Sequence, residues 1–127
     1  MFHHIMRFSL QDGLTVAERD EVCRQIRSLV DLPMVISSSV CQDLGNPANG
    51  FSHTAIVLFE GSADYLSYLT DPDHAVIIDF VIPRWKKAMF CDASDEFDPT
   101  LYDRIRKTIS EMASTPKIIE HIAAITA

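Results

Sequence analysis

The stretch Phe51–His74, FSHTAIVLFEGSADYLSYLTDPDH, decides the fold of this 127-residue chain. Its first part, Phe51 to Glu60, is apolar on both of its alternating faces. His53, Ala55, Val57 and Phe59 share one; Thr54, Ile56 and Leu58 share the other. Side chains alternate across a strand, so an apolar run of this kind reads as a central strand covered on both sides. Ser62 then opens a short helix to about Thr70, carrying Tyr65, Leu66 and Leu69. Asp71-Pro72 leads into a second helical piece that runs through Trp85, and Pro83 kinks or breaks it.

Working outward, Phe2–Leu10 reads as a first strand. Phe2, His4, Met6, Phe8 and Leu10 share one face; His3, Ile5, Arg7 and Ser9 share the other. A QDG turn follows. Thr15, with Glu18 at capping-box spacing, starts a helix to about Val30 whose stripe is Val22, Ile26, Leu29 and Val30. Met34–Leu44 is a β-branched second strand, residues 45–50 (GNPANG) form a loop, and Ala88–Ala93 is a short fourth strand. The order strand, helix, strand, strand, helix, strand is the split βαβ arrangement of ferredoxin-like α+β domains, with an antiparallel four-stranded sheet and helices on one face. The other face carries Ile5, Ile56 and Leu58, and is expected to pack on a second copy as a homodimer. Residues 95–127 read as a helical arm on the 1–94 domain, within the same folding unit. Leu101, Ile105, Ile109 and Met112 make one stripe; Ile118, Ile119, Ile122 and Ile125 make another.

With 18 Asp and Glu against 11 Lys and Arg, the net charge is −7, and no basic run occurs, so nucleic acid is not an expected partner. Acidity and the lack of an apolar run near the roughly 20 residues of a membrane span argue against membranes. The N-terminus lacks a signal-peptide pattern. Three widely spaced cysteines read as reduced, buried thiols of a cytoplasmic protein.

The chemistry-bearing residues are His4, His53, Tyr68 and His74. The reading sets the first and third strands adjacent and parallel, which brings His4 and His53 to one end of the sheet. The next helix returns Tyr68 to that end, and His74 follows it. Met6, Val57, Leu69, Ile77, Phe80 and Trp85 would wall the pocket and bind a small molecule. Each polar residue alone also fits a packed core or a helix end. Together, an imidazole tuned near neutrality and a phenol suit proton transfer and oxyanion stabilisation in a dry site. No phosphate loop, triad order or nucleotide fingerprint is present, so no cofactor is implied. His3 is expected at the interface or in solvent, and His121 on an exposed helix face.

The segments HHIMRFSLQDGLT, GFSHTAIVLFEGSADYLSYLTDPDH and MFCDA resemble the stress-responsive A/B barrel (Dabb) family over residues 2 to about 94. The resemblance implies a dimeric α+β barrel. That family includes plant stress proteins without a clear reaction, and olivetolic acid cyclase, which closes a polyketide without a cofactor. By motif position Tyr68 and His74 correspond to that cyclase's acid/base pair, and His4 and His53 to its other pocket histidines; Asp71 stands where it has a histidine. The resemblance thus implies His74 as general base and Tyr68 as oxyanion donor in a cyclase- or lyase-type enzyme on a small carbonyl or polyketide-like substrate. Two alternatives stand beside it: a non-catalytic dimer binding a small molecule, and a metal site of His4, His53 and His74 with Asp71 or Asp73.

Overall fold

Thr15 caps the first helix as the spacing predicts: its side chain accepts from the Glu18 amide at 3.1 Å, and Glu18 reaches back to the Thr15 amide. The computed structural model describes residues 1–112 and 114–127. The order is β1 (Phe2–Leu10), α1 (Val16–Arg27), β2 (Ser37–Gln42), β3 (His53–Phe59), α2 (Ser62–Leu69), α3 (Pro72–Val81), β4 (Trp85–Phe90), β5 (Ala93–Ser94), α4 (Leu101–Ser110) and α5 (Pro116–Ile125). This is the ferredoxin-like α+β fold. The sheet runs β2-β3-β1-β4, with a short fifth strand beyond the four expected, β5, pairing with the start of β1.

One expectation is corrected with consequences for the site: β1 and β3 pair antiparallel, with Phe2 opposite Phe59, His4 opposite Val57 and Phe8 opposite His53. In a split βαβ unit the third strand is inserted as a hairpin partner of the second, and so runs against the first. His4 and His53 therefore lie at opposite ends of the sheet.

A second correction concerns Trp85. Pro83 ends the helical piece in a 3₁₀ turn, and Trp85 is the first residue of β4, not part of a helix. The cysteines also differ from expectation: Cys41 and Cys91 are exposed, and Cys23 is half-buried. His121 is not on a solvated face; its Nε2 donates to the Trp85 carbonyl at 3.0 Å and fastens α5 to the start of β4.

The core fills one side of the sheet. Phe2, Met6, Phe8, Ala55, Val57, Phe59 and Trp85 point into it and meet Val22, Ile26, Tyr65, Tyr68, Leu69 and Ile78 from the helices. On the opposite side no helix among the described residues covers the strands: Ile56 and Met89 are exposed, and Ile5 and Leu58 half-exposed. The arm joins the core side, with Leu101, Ile118 and Ile125 buried. Its linker also supplies the cap that α2 lacks locally. Gly61 offers no side chain, and Glu96 accepts from the Ser62 amide at 2.7 Å and from the Ser62 hydroxyl at 3.0 Å. A carboxylate there satisfies an orphan amide and complements the helix dipole.

Phe8 is fully buried and stacked between Trp85 at 4.4 Å and His53 at 5.2 Å. Phe8→Ala should cost about 3–5 kcal/mol of stability, read as a lower denaturation midpoint in urea.

Candidate active site

Antiparallel pairing puts the start of β1 beside the end of β3, where α2 begins. Tyr65 and Tyr68, on successive turns of α2, therefore pack over Phe2, His4 and Phe59. Tyr65 stacks on Phe2 at 4.3 Å, and Tyr68 meets Phe59 edge-on at 4.9 Å. Asp71 caps α3, accepting from the amides of Asp73 at 2.8 Å and His74 at 3.3 Å, with Pro72 in the first turn. That cap turns the chain so that the His74 ring lies 3.9 Å from the Tyr68 ring. The motif is at once a helix start and one wall of a cavity.

The cavity has a volume of about 430 Å³. The sheet floors it with Phe2, His4, Met6 and Trp85; Tyr65, Tyr68, His74 and Ile77 wall it; the arm closes it with Leu101, Ile105 and Ile109. The surroundings are mostly apolar, so the few polar groups in it act in a low dielectric.

His4 is 6% exposed, and its Nδ1 lies 2.6 Å from Asp92 Oδ1. The other carboxylate oxygen accepts from the Tyr65 hydroxyl at 3.2 Å. With Nδ1–H donating to that carboxylate, Nε2 is the ring nitrogen left over on this cavity residue. Burial raises the Tyr65 and Tyr68 hydroxyls above the usual phenol range, with the Asp92 charge adding to both. Both phenols stay protonated and can only donate or accept hydrogen bonds. His74 is different in kind. Burial first, then the His4 charge, push it down to about 3, against smaller opposing effects of Asp71 and the Leu69 backbone. Its Nδ1 is buried without a protein partner.

Of the residues singled out from sequence, His4, Met6, Tyr68, Leu69, His74, Ile77 and Trp85 line the cavity. His53, Val57 and Phe80 do not. His53 stacks on Phe8 at the far end of the sheet and bonds Ser52 Oγ at 2.7 Å; Val57 is sealed beneath the helices; Phe80 lies under the Arg84 guanidinium at 3.8 Å. With His53 removed, the His4, His53, His74 ligand set does not assemble, and no group of three or more His, Cys, Asp or Glu is placed to hold a metal among the described residues. Sequence reasoning missed Asp92 and Tyr65 as residues of the site. The pairing of β5 with β1 sets Ala93 opposite His3, which brings the preceding Asp92 beside His4.

The His74 shift has a pH signature. Its pKa is depressed from 6.5 to about 3 on folding. Above 6.5 it is neutral in both states and neither adds nor removes stability. As pH falls from 6.5 towards 3, the unfolded chain takes the proton and the folded one does not, so stability is lost across that window. Denaturation midpoints of wild type and His74→Gln, compared from pH 7 to about 4, should diverge, with the shallower decline in the variant.

The fold is shared with solved structures. A protein of Arabidopsis thaliana superposes with TM-score 0.69 at 19% identity, over 77% of this chain and 98% of its own. The hydroxynitrile lyase of Passiflora edulis does so with 0.68 at 21%, over 77% and 96%. A dimeric ferredoxin-like protein of unknown function from Thermobifida fusca does so with 0.62 at 19%, over 73% and 89%. No curated protein matches the sequence. Residues 2–95 match the stress responsive A/B barrel domain, and the chain belongs to that family.

Proposed function

We propose that the protein is a cofactor-free acid/base enzyme of the lyase or cyclase type, acting on a small, largely apolar carbonyl compound. The observation that carries this is the His4–Asp92 pair, 2.6 Å apart, on the wall of an apolar cavity that also presents the Tyr68 hydroxyl. In the lyase direction, His4 Nε2 takes the proton of a β-hydroxy carbonyl or cyanohydrin hydroxyl. The oxygen's electron pair forms C=O as the adjacent C–C bond breaks, and the departing carbanion or cyanide is protonated from His4. Ring closure by aldol addition uses the same groups in reverse. Asp92 holds the imidazole in the required tautomer and stabilises the imidazolium. Tyr68, kept neutral by burial, donates to the oxygen that carries developing charge.

This moves the base from His74, the residue favoured by motif position, to His4. A group titrating at about 3 is a feeble base at neutral pH. As a neutral imidazole against Tyr68, His74 serves better to orient that phenol. The solved lyase of the same fold, though distant in sequence, supports the reaction class.

The test is a panel of cyanohydrins and β-hydroxy ketones, neutral and acidic, of increasing apolar length, followed by carbonyl appearance. His4→Gln and Asp92→Asn should each lower kcat by about 10²–10⁴-fold, while Cys41→Ser, on an exposed strand, leaves it unchanged. Turnover that survives both substitutions would remove His4 as the base. Saturable binding with no turnover in wild type would favour a non-catalytic binding protein.

We further propose that the uncovered sheet face pairs two copies of the chain. Exposed Ile56 and Met89, flanked by Ile5 and Leu58, form an apolar strip that no element among the described residues covers. An isologous pairing would bury it. Light scattering at micromolar concentration should report a dimer for wild type and a folded monomer for Ile56→Lys. A monomeric wild type would sink this.

A further inference from the structure

Charge at the cavity is unevenly committed. Two formally charged side chains border it, Asp92 and Arg106. Both oxygens of Asp92 are occupied, one by His4 and one by Tyr65. Arg106 makes no ion pair among the described residues, whereas Arg7, Arg24 and Arg104 each hold a carboxylate. It stands on α4, one turn beyond Tyr102, and its guanidinium carbon sits 5.3 Å from the Tyr102 ring centroid. The two residues flank the inward stripe of Leu101, Ile105 and Ile109, so they form the rim where the arm meets the chamber. From there the positive charge is felt inside: it opposes the rise of the Tyr65 hydroxyl that burial causes.

A free guanidinium, stacked on a phenol and bordering an apolar chamber, presents a fork that matches a carboxylate. A phosphate is the poorer match, since the cavity border offers no second Lys or Arg to share its charge. On a chain of net charge −7 the general field repels anions, which leaves the rim as a local exception.

We propose that the cavity takes a small apolar carboxylic acid, aliphatic or aromatic, with its carboxylate on Arg106 at the rim and its apolar body in the chamber. This names the ligand class of the site described above. It rests on that site being a ligand chamber and is independent of whether His4 acts as the base. Arg106 is then a specificity residue, and it comes from the arm, outside the matched family domain at residues 2–95.

Trp85 is the one tryptophan of the chain and lines the cavity, so its fluorescence reports occupancy. Wild-type protein is titrated with octanoate and, separately, with octanamide, which has the same chain length and no charge. Octanoate should bind about 10-fold more tightly. Arg106→Gln should bring octanoate to the level of octanamide and leave octanamide unchanged, and Arg106→Lys should keep part of the preference. Equal binding of the two ligands by wild type, no saturable binding of either, or a preference that survives Arg106→Gln would each overturn the proposal. Turnover is not read in this experiment. A failed acid/base assignment leaves the octanoate preference intact, and a failed preference leaves the His4 and Asp92 results standing.

Discussion

Everything at the site depends on the antiparallel pairing of β1 with β3. One register, His4 opposite Val57, sets the start of β1 beside the end of β3. From that end α2 departs, so its two tyrosines cross directly above His4. The same pairing sends His53 to the other end, where it becomes a stacking partner of Phe8. Slipping the register by one residue would turn His4, Met6 and Phe8 towards the uncovered face and empty the cavity floor. The hydrophobic pattern that protects the core thus also protects the geometry of the polar groups.

Burial then separates two histidines that a motif cannot tell apart. His4 and His74 line the same chamber. His4 has a carboxylate within hydrogen-bond reach, and His74 has an aromatic ring and a buried, unpartnered nitrogen. Burial pushes the His74 pKa down because its charged form loses hydration, and Asp71 offsets only part of that. The division into a carboxylate-paired histidine and a desolvated one follows from those surroundings.

The arm makes the chamber different from what the minimal domain would enclose. Its apolar stripes close one side, His121 fastens its second helix to the Trp85 carbonyl, and Glu96 caps α2, the helix that carries both tyrosines. These contacts span long stretches of sequence and couple the arm to the elements that shape the site. The arm also brings Arg106 to the rim of the chamber.

Much of this was written locally in the chain. Alternation in Phe2–Leu10 and Phe51–Glu60, the Thr15–Glu18 capping box and the Asp71-Pro72 start signal located the elements and the helix-covered face, because each depends only on near neighbours in sequence. The tyrosine and histidine of Tyr68–His74 were visible for the same reason: one short turn sets their spacing. Strand direction was not local, and misjudging it misplaced His53. Asp92 was invisible as a partner of His4, because the two are 88 residues apart and meet only when β5 closes on β1. The pKa of His74 and the closure by the arm likewise depend on what long-range packing excludes or brings near. The sequence by itself determined which residues could do chemistry and which face they share. Only the tertiary structure decided which of them meet, since proximity across a sheet and the dielectric around a buried ring are properties of the assembled core.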